Sequence, residues 1–387
     1  MAQPGVEAVP ERQPAEPQDD IGVSTVELFF DLVFVFTITQ LTSLLVAQPT
    51  WVGVARVALV FGNVWWMYGG YAWLTNAVPP REPVLRLLIL LGMAGFLVVA
   101  LSIPEAFGDS GVAFGLGYLV VTLVHTGMFL RSSQESAVRA MARLGPFNGI
   151  TAMLLLAAGF TGGTVRWALW AAAFVLHWAS PVFTAVGGFG LRSAHFVERH
   201  GLIVLIALGE SIVAVGIGVA GRHLDAGLVL IAVLGLALAA TLWWLYFDGE
   251  DERAEQAMRT APAERGSWLG LFAFGYAFLP LLGGIIVLAA GIKGATAHHG
   301  EHATAASAWF LAAGVAVYVA GLALFRRVLA CGPVRVRLAI AALALPTAFL
   351  GLTVSPEAQI AALAAIVAAG VIAESRWLAR RAQPVAG

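Results

Sequence analysis

The sequence predicts an all-α integral membrane protein with twelve spans, and three observations carry that reading. Of 387 residues, 59% are hydrophobic and only 12% are charged, where a soluble domain has roughly a quarter charged. Apolar runs of about 18 residues or more, enough to cross a bilayer, recur along the whole chain. The basic residues gather in alternate connections between those runs. The opening residues, rich in Pro, Glu, Gln and Asp, lack the basic start and apolar stretch of a signal peptide. Residues 1–21 are therefore expected to be a disordered cytoplasmic tail, with the first helix as an uncleaved anchor. A single cysteine, Cys331, excludes an internal disulfide framework and a cysteine-based metal cluster. A net charge of −1 gives no reason to expect nucleic acid.

Pro, Gly and charge clusters bound the helices in order. The first window, 22–46, holds VELFFDLVFVFTITQL with Glu27 and Asp31 at its start. The second, 51–74, contains WWMYGGYAWL, expected to supply interfacial aromatic anchors, and stops before Pro79, Pro80 and Arg81. Pro104 and Asp109 separate the third, 84–103, from the fourth, 112–130, which Arg131 closes. Pro146 opens the fifth, 146–164, and the sixth runs 166–186. The seventh, 201–221, follows the polar HFVERH; the eighth, 226–247, carries TLWWLYF and ends at DGEDE, Asp248 to Glu252, expected to solvate a helix end. The ninth, 267–291, precedes the loop HHGEH, His298 to His302, whose metal-capable groups read more simply as a solvated loop. The last three are 304–325, 335–354 and 356–375, punctuated by Arg326, Arg327 and Pro356. Pro181, Pro280 and Pro346 predict kinks in the sixth, ninth and eleventh helices. Gly209, Gly216 and Gly218 predict close packing by the seventh.

If each window crosses once, all of the 22 basic residues except Arg56, Arg166, Arg222 and Lys293 share one side. That side is expected to be cytoplasmic, with both termini on it. Overlaying the halves sets FFDLVFVFTIT on LGESIVAVGIG, so that Asp31 meets Glu210, and sets WWMY at Trp65 on WWLY at Trp243. Two matches whose offsets differ by one residue predict two parallel six-helix repeats, 22–186 and 187–375, followed by a basic cytoplasmic tail, 376–387.

The overlay also puts Asp31 and Glu210 at equal depth, about nine residues inside their helices and roughly 13–14 Å from the cytoplasmic end, near the midplane. A carboxylate at the bilayer centre costs about 2.5–3.5 kcal/mol unless paired, protonated or hydrated. One reading is a polar pathway shared by the two acids. Another is structural, with Asp31 bonded to Arg56, Asn63 or His125. Catalysis is the weakest, because no nucleophile or metal set accompanies the acids. Neutralising either acid is expected to spare the fold and abolish transport.

Three stretches carry a resemblance: VELFFDLVFVFTITQLT, LRLLILLGMAGFLVVALSIPEAFG at Leu85 to Gly108, and HFVERHGLIVLIALGESIVAVG at His195 to Gly216. They resemble the bacterial low temperature requirement A (LtrA) family from Val23 to the twelfth helix. The resemblance implies a multi-pass protein of the bacterial cell (inner) membrane, linked by name to growth in the cold, and brings no activity with it. More weakly, FFDLVFVFTIT is similar to the FSDG-type first-helix motif of endolysosomal and prokaryotic potassium channels, whose eukaryotic members are also 6 + 6. Phe29, Asp31, Val33, Phe34, Ile38 and Thr39 match that motif, while Phe30 and Leu32 stand where Ser and Gly would be. The expected function is an ion (cation or proton) or small-solute channel or transporter, with a pathway drawn from Asp31, Glu210, Glu27, Thr39, Ser211, His125 and His177. The alternatives are a membrane-embedded enzyme or lipid-handling protein, or a scaffold without transport. No cofactor, metal or catalytic residue is expected; the lipid bilayer is the expected partner, and a homo-oligomer is compatible with the sequence.

Overall fold

The computed structural model describes residues 22–184, 191–219 and 223–382, and every regular element among them is helical. The first six helices are α1 (Thr25–Ala47), α2 (Trp51–Ala77), α3 (Pro83–Ser102), α4 (Gly111–Leu130), α5 (Glu135–Gly159) and α6 (Gly163–Thr184). Then come α7 (Ser193–Val219), α8 (Ala226–Phe247), α9 (Glu250–Arg259) and α10 (Ala263–Leu269). A π-helical segment (Gly270–Ala277) leads into α11 (Phe278–Ala297), followed by α12 (Ala305–Leu329). The chain ends with α13 (Arg335–Ala344), α14 (Ala348–Thr353) and α15 (Pro356–Ala382). Among the described residues, 11 helical spans are long and apolar enough to cross a membrane. α2 is a further helix of membrane length, 27 residues, with Arg56, Asn63 and Asn76 along it. It tolerates them because its neighbours are α1, α4, α6, α7 and α11 rather than lipid alone. The protein is a polytopic membrane helical bundle.

Several boundaries differ from the sequence expectation, each for a local reason. α5 starts at Glu135, with Pro146 inside it, because Ala137, Ala140 and Met141 already form a buried helical face. α7 starts at Ser193 rather than 201, which brings HFVERH into the helix. DGEDE opens α9, whose residues Glu250, Ala254 and Met258, four apart, are buried. Pro280 is preceded by the π-helical turn, and Pro346 sits in a 3₁₀ turn, Leu345–Thr347, that divides the eleventh predicted span. α15 continues to Ala382, into the predicted tail, while residues 1–21 and the predicted repeat boundary at 186/187 lie outside the described residues.

α1, α2, α7 and α11 pack against one another at the centre, so the two halves of the chain meet there. α1 and α7 run parallel: Val23 N donates to Glu198 Oε2 at 3.3 Å, and Thr39, further along α1, bonds Glu210, further along α7. The two tryptophan pairs part company. Trp65 is 1% exposed and donates through Nε1 to the Gly275 carbonyl of the π-helical segment at 3.0 Å, so it is a core residue rather than an interfacial anchor. Trp243 and Trp244 are 40% and 53% exposed, as an interfacial pair should be.

Candidate functional site

Glu27 and Asp31 stand four residues apart on α1, and His195 and Arg199 repeat that spacing on α7, so each pair shares a helix face. The two faces meet. Arg199 Nη1 donates to Glu27 Oε1 at 3.1 Å, and Nη2 donates to Asp31 Oδ1 at 3.2 Å. The Tyr68 hydroxyl donates to the same Asp31 oxygen at 2.9 Å. Arg199 also donates to Thr75 Oγ1 and lies 5.5 Å from the Phe30 ring centre, a cation–π contact. His195 Nε2 approaches Glu27 at 3.2 Å, while its Nδ1 meets Asn76 Nδ2, a donor, at 3.3 Å. That pattern fits a neutral imidazole donating from Nε2. Two carboxylates and one guanidinium leave the cluster with one net negative charge, spread over donors from α1, α2 and α7.

Glu210 has a different environment. It is 2% exposed, and its hydrogen-bond partner is the Thr39 hydroxyl, which donates to Oε2 at 2.6 Å. Among the described residues it forms no ion pair; Lys293 of α11 acts on it only from beyond pairing distance. Ser211, beside it, is buried with its hydroxyl unpartnered. Thr39 lies eight residues beyond Asp31 on α1, about 12 Å further along the helix. Asp31 and Glu210 therefore do not share a level, and the equal depth expected from the overlay is corrected. The overlay compares positions in two repeats, whereas the contacts set α7 against α1 in another register. Asp31 belongs to the cluster near the start of α1, and Glu210 lies deeper in the bundle.

The predicted histidines sit in a third place. His177 Nδ1 is 3.2 Å from Asn63 Oδ1, and its ring stacks on Trp66. His125 is 2% exposed with neither ring nitrogen hydrogen-bonded, and it lines a cavity of about 100 Å³ with Trp65, Trp66, Trp178 and His200. Trp178 Nε1 is also buried without an acceptor. None of the partners proposed for Asp31 bonds it: Arg56 donates to Gln48 Oε1 at 2.7 Å, Asn63 donates to the Leu59 carbonyl, and the His125 ring lies against Gly70. In HHGEH, His299 pairs with Asp225 at 3.3 Å, and among the described residues no three metal-capable side chains gather.

Arg199 is the residue of this buried cluster that sequence reasoning missed, because HFVERH reads as a polar connection. One signal was present: His195 and Arg199 repeat the four-residue spacing of Glu27 and Asp31 with complementary chemistry. Glu250 was missed in the same way. It is 0% exposed and paired with Arg253 at 2.8 Å, with Arg326 and with Arg337, while Arg326 also pairs with Glu374.

The family model described as Bacterial low temperature requirement A protein (LtrA) matches residues 22–372. The chain is 27% identical over 327 residues, 81% of its length and 79% of the relative's, to the uncharacterized protein RA0937 of Rhizobium meliloti (strain 1021). No solved structure matches. These comparisons lend no support to the weaker potassium-channel likeness.

Proposed function

The chain belongs to the bacterial low temperature requirement A family, and from that premise we propose that it passes a proton or small cation through the bundle, with Glu210 as the group that takes it up. One observation carries this reading: Glu210 is a buried acid with a hydroxyl for a partner and, among the described residues, no paired cation. A carboxylate removed from water is tolerated when it is paired, protonated or bound to a cation. Asp31 meets the first condition through Arg199, and Glu210 is left with the other two. Thr39 suits both states, because its Oγ1 lies 2.6 Å from Glu210 Oε2 and 3.3 Å from the Val35 carbonyl. One hydroxyl proton serves one acceptor at a time. It turns to Glu210 when the acid is ionised, and to Val35 when protonated Glu210 donates to Thr39 instead.

The test is flux in proteoliposomes over a panel of protons and alkali cations. Glu210→Gln should fold with a near wild-type melting temperature and lose most flux. Thr39→Val, which removes a hydrogen bond to a charged group worth about 1.5–3 kcal/mol, should reduce flux roughly 10- to 100-fold. Wild-type flux of every panel ion in a folded Glu210→Gln variant would sink the proposal. A second reading, carriage of a small neutral solute, is favoured by the aromatic cavity, where the Trp178 N–H is buried without an acceptor. Such a solute would carry a hydrogen-bond acceptor on a flat apolar body.

The same reading puts the protein in the bacterial inner membrane as two parallel six-helix repeats, with both termini and the start of α1 on the cytoplasmic side. Cysteine labelling checks the orientation. Cys331 is a poor probe at neutral pH, since burial and the nearby Glu250 carboxylate push its thiol up to about 11. Its maleimide labelling should rise about tenfold per pH unit until that value is approached, as the thiolate fraction grows. Ser133→Cys and His302→Cys, both exposed, should label from opposite faces in a Cys331→Ser background. Labelling of both from one face would overturn the topology.

A further inference from the structure

The Glu250 cluster opens into a small pocket of about 70 Å³, lined by Arg253, Arg326, Arg337, Asp248, Glu374 and Ser375 among others. That is little more than two waters' share of liquid volume, so it suits a compact group of a few heavy atoms. Its donors are not all used. Arg337 is 4% exposed, yet its Nε and Nη1 have no hydrogen-bond partner, and Arg253 Nε is likewise buried and unpartnered. Burying guanidinium donors unpaired is costly, which points to an acceptor-rich group belonging in the pocket. Beside it, an apolar groove of about 440 Å³ runs between α8 and α15, lined by Ala240, Thr241, Ala368 and Ile372, with Arg376 at its end. Groove and pocket share Trp244, Val371 and Ser375, so they form one continuous surface. Trp244 and Ile372 are 53% and 51% exposed on the outside of the bundle, where acyl chains would lie. Across the two, Arg253, Arg326, Arg337 and Arg376 outnumber Asp248, Glu250 and Glu374.

We propose that this surface is a binding site for an anionic phospholipid, with the headgroup phosphate in the arginine pocket and an acyl chain along the groove between α8 and α15. The arginines select an anion, and the contiguous apolar groove selects one that carries a chain. α8 and α12 end at this pocket and α13 begins there, while α15 runs past it, so the pocket lies at the end of the bundle, at headgroup level.

The test uses full-length protein in detergent, melted during titration with short-chain phosphatidylglycerol, short-chain phosphatidylcholine, or inorganic phosphate. Phosphatidylglycerol should raise the wild-type melting temperature at concentrations where the other two do little. Arg253→Gln alters a partly exposed arginine and should fold; it should weaken phosphatidylglycerol about tenfold, the loss of one charged hydrogen bond. Ile372→Ala, on the groove and outside the arginine pocket, should weaken phosphatidylglycerol while leaving any response to phosphate unchanged. Equal stabilisation by phosphatidylcholine would overturn the selection by charge. Phosphate matching phosphatidylglycerol, with Ile372→Ala silent, would assign the pocket to a free anion and overturn the lipid.

Discussion

Arg199→Met is expected to abolish most folded protein, read as loss of the monodisperse peak and of the melting transition in detergent. Arg199 bonds Glu27 and Asp31 at once, and all three are at most 2% exposed. Removing one partner of a buried ion pair costs about 3–5 kcal/mol because the other charge is left uncompensated. Here two carboxylates are left, four residues apart on one helix, so repulsion adds to the loss. The same physics predicts a rescue. Glu27→Gln and Asp31→Asn added to Arg199→Met replace charged atoms by neutral ones of similar size, and such replacements are often neutral or stabilising. The triple variant should regain a melting temperature near wild type. A monodisperse Arg199→Met single variant with wild-type melting would show that the cluster does not hold α1, α2 and α7 together. Asp31→Asn alone leaves Glu27 and Arg199 as a balanced pair and keeps an acceptor for the Arg199 and Tyr68 donors, so its melting temperature should stay near wild type.

Much of this was legible in the sequence, and the parts that were not have a common physical cause. The membrane class, most helices and the burial of Asp31 follow from local composition, because an acid inside an apolar run is conspicuous wherever its partner lies. Arg199 and Glu250 are the converse: each sits in a polar stretch, so composition predicts exposure. They are buried only because distant charges receive them, Glu27 and Asp31 for one, Arg326 and Arg337 for the other. The glycines failed for a related reason. Gly209 and Gly216, expected to allow close packing, have open space where a Cβ would stand, whereas Gly218 does meet Thr296. A glycine in a membrane helix states that close approach is allowed; only the neighbouring helix decides whether it happens.

That distinction yields the last expected result: Gly314→Ala should be strongly destabilising and Gly209→Ala nearly neutral. α11 and α12 approach so closely that a Cβ on Gly314 would lie 2.5 Å from the Leu288 backbone nitrogen, and one on Gly321 would lie 2.5 Å from that of Leu281. The contact is reciprocal, since a Cβ on Gly291 would stand 2.6 Å from the Leu311 nitrogen, and Gly284 presses on the backbone of Tyr318. On each helix the two glycines are seven residues apart, two turns, which keeps both on one face. Backbone cannot swing aside as a long side chain can. An added methyl must therefore push the helices apart, at a cost of about 1–3 kcal/mol per site, and Gly314→Val should prevent assembly of the pair. At Gly209 nothing opposes the methyl, and helix propensity favours alanine by about 1 kcal/mol. Equal melting temperatures for Gly314→Ala and Gly209→Ala would mean that this interface is looser than drawn. The consequence reaches Glu210, because α11 carries Lys293 and packs against α1 and α7. With α12 displaced, the cation nearest Glu210 moves as well, so a partly folded Gly314→Ala protein should also show an altered pH dependence of flux.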